Sequence, residues 1–93
     1  MSKSITIHVT GRVQKVGFRK FTVKVAEKFH IKGWVRNTLE GGVHIEAEGA
    51  PHNLDMFIKR VSKGPFFSKV KNISISETPT SYGYEVFQVK MDS

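Results

Sequence analysis

Gly11-Arg12-Val13-Gln14-Lys15-Val16-Gly17-Phe18-Arg19 joins two patterns of different period. On its N-terminal side, Ser4 to Thr10 alternates. Ile5, Ile7 and Val9 share one face and Thr6, His8 and Thr10 the other, which predicts a half-buried strand. On its C-terminal side, Phe18, Phe21, Val25, Ala26 and Phe29 fall on one stripe with Thr22. That spacing predicts a helix from Phe18 to His30. The nine residues are therefore a strand-to-helix turn bracketed by two glycines, and residues 11–17 are its loop. A backbone that bends sharply at a helix start points several N–H groups into one space, where the helix dipole also favours an anion. Consecutive amides of such a turn form a concave nest suited to phosphate oxygens. Arg19, in the first turn, adds a planar fork of donors. A phosphoryl group held by this loop is the expectation. Strand, glycine turn and helix are also an ordinary connection, and neither a Walker loop nor GxGxxG is present.

The rest of the chain repeats the plan. Ile31-Lys32-Gly33 is expected to end the first helix, and Trp34 to Thr38 reads as a second strand. Leu39-Glu40-Gly41-Gly42 is a hairpin-type turn. Val43, Ile45 and Ala47 then alternate with His44, Glu46 and Glu48 as a third strand. Gly49-Ala50-Pro51 breaks it, with proline suited to a first helical turn. Leu54, Phe57, Ile58 and Val61 form a second helical stripe, stopped by Lys63-Gly64-Pro65. Val70 to Ser76 reads as a fourth strand, 78–83 as a loop, and Tyr84 to Lys90 as a last short strand. The order β-α-β-β-α-β plus one strand is the ferredoxin-like split β-α-β pattern of an α+β protein. It predicts an antiparallel sheet of four to five strands, with two helices on one face and a polar face opposite.

The 93 residues have room for one domain, spanning 1–93, and seven Phe within a 39% hydrophobic content suffice for one modest core. Cysteine is absent, which excludes disulfide and thiol chemistry. Met1-Ser2-Lys3-Ser4 leads straight into a strand, and no apolar run reaches membrane-spanning length, so a soluble cytoplasmic protein is the expectation. A monomer is expected, although the sequence itself does not reveal the oligomeric state. A net charge of +7 and a pI near 9.9 attract an anionic partner. The Lys and Arg are dispersed, so no basic tail is formed. His8, His30, His44 and His52 lie on different elements without metal-ligand spacing. His8 and His44 sit on neighbouring strands, close enough to meet, and read first as two solvated histidines. No nucleophile elbow is present.

A helix reverses the chain, so the strands before and after it run the same way, with the third strand between them. The loop leaving strand one and Asn37 at the far end of strand two then converge on one edge of the sheet. Alternation puts Asn37 on the face of Gly33 and Val35, and Trp34 with Arg36 on the other. That first face is expected to meet the loop. An asparagine before a turn also commonly just caps the backbone.

With these residues in place, the chain resembles the acylphosphatase family. The match is carried by Gly11-x-Val13-Gln14-x-Val16-x-Phe18-Arg19, then Gly33-Trp34-Val35-x-Asn37-Thr38, then Gly42-Val43 and Glu48-Gly49, across residues 4–76. The resemblance implies hydrolysis of small-molecule acyl phosphates to a carboxylate and inorganic phosphate, with no metal and no cofactor. By the same resemblance Arg19 binds the phosphoryl group and Asn37 positions the attacking water. Backbone N–H groups of Gln14, Lys15, Val16, Gly17, Phe18 and Arg19 would complete the phosphate cradle. No membrane and no nucleic acid are implied as partners.

The departure is Lys15, where the family usually has glycine. Glycine takes positive φ at no steric cost, whereas lysine does not. Two outcomes are open: an active enzyme with altered affinity, or a weak one. Two other readings accompany the first. One is a degenerate member that binds an anion without turnover. The other is an RNA-binding ferredoxin-like module, because Lys32-Gly33-Trp34 resembles the start of an RNP1 motif. Val35-Arg36-Asn37 lacks the continuation, and the match lies on strand two instead of strand three.

Overall fold

The computed structural model describes residues 2–91, so Met1 of the N-terminal segment lies outside them. The elements are β1 (Lys3–Arg12), α1 (Phe18–Lys28), β2 (Lys32–Asn37), β3 (Val43–Gly49), α2 (Pro51–Lys63), β4 (Lys69–Thr78) and β5 (Phe87–Val89). They form one five-stranded sheet in the order β4-β1-β3-β2-β5. β1 and β2 each pair antiparallel with β3, so they run the same way with β3 between them, as the sequence implies. Ile5, Ile7, Val9, Val35, Val43, Ile45 and Ala47 cover one sheet face and are buried beneath Phe18, Val25 and Ala26 of α1 and Leu54, Phe57 and Val61 of α2. No helix among the described residues is long and apolar enough to cross a membrane.

Several boundaries differ from the sequence expectation: β2 spans Lys32–Asn37 instead of Trp34 to Thr38, and β5 only Phe87–Val89 instead of Tyr84 to Lys90. β1 runs past Thr10 to Arg12, because a bulge between Thr10 and Gly11 lets it keep pairing with β4. Gly11 takes φ 123 there, and a Cβ would strike the Lys69 carbonyl oxygen. The loop is thereby shortened to residues 13–17. α1 ends at Lys28, ahead of the expected stop at Gly33. His30 adopts φ 57, its N–H donates to Glu27 O (3.4 Å), and Ile31 N–H donates to Ala26 O (2.8 Å). This is a Schellman ending with histidine where glycine is usual. β4 is longer than expected at both ends, since it follows β1 from Ser4 to Arg12.

The last strand is short, and it pairs parallel with β2. The sheet is therefore mixed, not wholly antiparallel. β4 ends beside the start of β1, so the chain must cross the end of the sheet to reach the other edge. The crossing segment is held by Glu48, a buried carboxylate on β3. It accepts bonds from Ser4 Oγ (2.6 Å) and from the backbone N–H groups of Tyr82 (2.7 Å), Gly83 (2.9 Å) and Tyr84 (3.2 Å). Burial alone pushes the Glu48 carboxyl up. The four donors outweigh it and hold the group below its ordinary value.

The face away from the helices is polar but not open. His8 and His44 meet with ring centroids 4.4 Å apart, and Trp34 lies edge-on to His44 at 4.8 Å. His44 Nε2 lies 2.7 Å from Glu46 Oε2, and its side chain is only 16% exposed. The expectation of two solvated histidines therefore fails for His44. Burial pushes its imidazole below the ordinary value, and His8 and Arg36 add to that against the pull of Glu46. Lys90 lies 4.5 Å and Arg36 5.5 Å from the Trp34 ring.

Candidate active site

Residues 13–17 are anchored on two sides. Val13 is fully buried in the core. The Gln14 carboxamide donates to Thr38 O (2.9 Å) and to Gly42 O (2.8 Å), the two carbonyls that flank the β2–β3 turn. That turn is closed on itself by Thr38 N–H to Gly42 O (3.0 Å) and Gly42 N–H to Thr38 Oγ1 (3.1 Å). Gln14 thus ties the loop to the residues that follow Asn37, which fixes one end of the sheet as a unit. Beyond these anchors the backbone turns left-handed twice, at Lys15 (φ 61) and at Gly17 (φ 78), the N-cap of α1.

Among the described residues, no protein acceptor takes the backbone N–H of Lys15, Val16, Gly17, Phe18 or Lys20. The first intrahelical bond runs from Phe21 N–H to Gly17 O (3.0 Å). The first turn of α1 has neither a capping side chain nor an acidic residue. The orphan donors at this helix start are therefore left for something else.

They border a cavity of about 530 Å³ between the loop, α1 and the ends of β2 and β5. Its polar walls are Lys15, Arg19, Lys20, Lys24 and Asn37, and its apolar walls include Val13, Val23 and Val89. No carboxylate lines it among the described residues. Asn37 is only 7% exposed, on the same side of β2 as Gly33 and Val35, and its Oδ1 accepts no hydrogen bond. A buried acceptor without a donor is uncommon and needs a reason.

Of the residues singled out from the sequence, Lys15, Gly17, Phe18, Arg19 and Asn37 come together around this cavity. Gln14 and Val16 do not line it. The Gln14 side chain is turned away to the β2–β3 turn, and Val16 packs against the core. Sequence reasoning missed Lys20, Lys24 and the valine walls. The available signal was helical spacing: Arg19 with Val23, and Lys20 with Lys24, are i, i+4 pairs on adjoining rows.

A ferredoxin-like α+β protein with an anion-suited cleft at one end of its sheet is the class these features define. The acylphosphatase family model matches residues 5–89. A curated acylphosphatase of Thermotoga maritima is 47% identical over 88 residues, covering 95% of this chain and 97% of the relative. One of Bacillus licheniformis is 45% identical over 83 residues, covering 89% and 92%. The crystal structure of acylphosphatase from Bacillus subtilis superposes with a TM-score of 0.93 at 41% identity, covering 97% of this chain and 99% of that one. This chain belongs to the acylphosphatase family, a family of hydrolytic enzymes.

Proposed function

We propose that this chain is a single-domain, monomeric, cytoplasmic enzyme that hydrolyses small-molecule acyl phosphates without a metal or cofactor. Arg19 grips two phosphoryl oxygens with its guanidinium fork, and the unclaimed amides of the 15–18 turn receive the others. Lys15 adds a second positive charge. It already holds the left-handed conformation usual for glycine at this place, which supports an intact loop with an added ammonium.

Asn37 Oδ1 accepts a hydrogen bond from the attacking water. The water oxygen forms a bond to phosphorus while the phosphorus–acyl oxygen bond breaks, and its electron pair leaves on the carboxylate. The water's proton ends on a phosphate oxygen. A carboxylate is a stable anion near neutral pH, so the leaving group needs no strong general acid. Phosphoryl transfer asks the protein mainly for positioning and charge stabilisation. A neutral amide holds the water without repelling the phosphate, as a carboxylate there would.

The observation that carries this reading is the unpartnered Asn37 oxygen, buried in the same cleft as Arg19 and the loop. Phosphate release from benzoyl phosphate in the presence of a chelator tests it. Turnover is expected for the wild type and is expected to disappear in Arg19→Ala. An inactive wild type that still binds phosphate would instead identify an anion-binding member without turnover.

A further inference from the structure

We infer that the turn joining α2 to β4 docks on an anionic lipid bilayer, with Phe66 and Phe67 entering the headgroup region and the cations around them meeting lipid phosphates. This surface lies apart from the cleft of the proposed function. The cleft is walled by α1 and the ends of β2 and β5, whereas the turn leads into β4 at the opposite edge of the sheet.

The turn is tightly held and its tip is apolar. Gly64, with φ 75, ends α2, and its N–H donates to Arg60 O (3.0 Å). Ser68 then closes residues 65–68 on themselves, donating to Pro65 O from both its N–H (3.0 Å) and its Oγ (2.7 Å). Phe66 and Phe67 take the two central positions, where small or polar residues such as Gly, Asn, Asp and Ser are usual. They are 92% and 73% exposed, and their rings meet edge-on at 5.1 Å instead of folding onto the core. Two phenyl groups left in water forgo the stabilisation that burial gives, so their use lies in a contact outside the chain.

The charge around the turn has one sign. Residues 56–76 contain no Asp or Glu. Lys63, Lys69 and Lys71 are exposed in that stretch, and the exposed Arg12 stands directly opposite Lys69 in the β1–β4 ladder. Like charges facing each other across two strands destabilise the sheet. None of these four cations has an ion-pair partner among the described residues. The nearest carboxylates in sequence, Asp55 and Glu77, lie toward the other ends of α2 and β4.

An anionic bilayer answers both features. Apolar side chains enter the boundary between headgroups and acyl chains, and Lys and Arg around them are drawn to the lipid charge. Such a peripheral contact needs no spanning helix. Other occupants fit less well. Nucleic-acid bases stack on ring faces, but the two ring planes stand at 88°, so the edge of one ring occupies a face of the other. A second copy of this chain would bring the same cations together. A protein interface of standard size takes roughly 800 Å² per partner, whereas two phenylalanines present about 150–250 Å² each.

Sedimentation with vesicles tests the assignment, comparing phosphatidylglycerol mixed into phosphatidylcholine with phosphatidylcholine alone. The wild type is expected to sediment with the mixed vesicles, to ignore the neutral ones and to be released by high salt. Phe66→Ser/Phe67→Ser is expected to weaken partitioning by about tenfold or more at an unchanged melting temperature, since both rings are exposed. Arg12→Gln/Lys69→Gln is expected to weaken it by about tenfold. A wild type that stays in the supernatant with mixed vesicles overturns the inference. Undiminished partitioning of the phenylalanine variant overturns it too, because charge alone would then hold the protein. Binding of single-stranded RNA that the phenylalanine variant loses, without any vesicle sedimentation, overturns it in favour of nucleic acid.

Discussion

Two buried polar side chains mark opposite ends of the same sheet. Asn37 closes β2 beside Val43, and Glu48 lies near the far end of β3 beside Lys32. Glu48 accepts four hydrogen bonds, whereas the Asn37 Oδ1 accepts none. A fully satisfied buried group rigidifies a fold, and an unsatisfied one costs stability unless something outside the chain completes it. Both groups are polar and hidden, but one end of the sheet is complete and the other, on the function proposed above, is completed by a ligand. Departures from local consistency collect where a protein acts.

The sharpest way to break this contrast is to remove each side chain in turn. Asn37→Ala is expected to lower kcat for an acyl phosphate by about 10²–10³-fold, the scale of losing one preorganised contact in the transition state. Its melting temperature should stay level or rise, because the oxygen removed had no donor. A variant that melts well below wild type would place Asn37 with Glu48, as a structural group.

Glu48→Gln reverses the pattern. The amide keeps one acceptor oxygen and turns an NH₂ toward backbone donors that the carboxylate had served. A loss of about 2 kcal/mol is expected, which lowers the melting temperature by roughly 8–16 °C in a domain of this size. At 25 °C the folded variant should retain its kcat, since Glu48 is remote from the cleft. Thermal melts and initial rates on one preparation check both halves.

Acid makes a smaller, graded version of the same change. The folded Glu48 carboxyl titrates below its ordinary value of 4.5, so its stabilisation is complete above that value and is lost as pH falls through the folded pKa. Melting temperatures measured from about pH 6 to about pH 3 should fall more steeply for wild type than for Glu48→Gln. The gap between the two should narrow toward the acid end. Parallel curves would mean that the clasp carries no net weight.

These contrasts also explain what could be read without a structure. The loop, the two stripes and the alternating strands rest on residues close in sequence, and periodicity reports them directly. Convergence of Arg19 and Asn37 followed from strand direction alone. Glu48 was visible as an outward position of strand three and as part of the family resemblance, but not as a clasp. Its partners are Ser4 and three backbone amides more than thirty positions later, and a backbone amide has no letter in a sequence. The anchoring role of the Gln14 side chain was hidden likewise, since its partners are carbonyls of a turn. His30 concealed the end of α1 by doing a glycine's work.

Lys15 tests the contrast at its finest grain, because it too breaks a local rule inside the site. Its left-handed backbone costs about 1–2 kcal/mol relative to an ordinary conformation, and glycine would remove that cost. Glycine also frees the unfolded chain, which takes back about 0.5–1 kcal/mol. Lys15→Gly should therefore melt higher by only a few degrees. If the ammonium helps hold the phosphoryl group, KM should rise a few-fold while kcat changes less, since a charge felt equally before and during the reaction acts on binding. A variant with a raised melting temperature and an unchanged KM would show the lysine to be strain without a ligand. A lowered melting temperature would move it to the side of Glu48, as part of the frame.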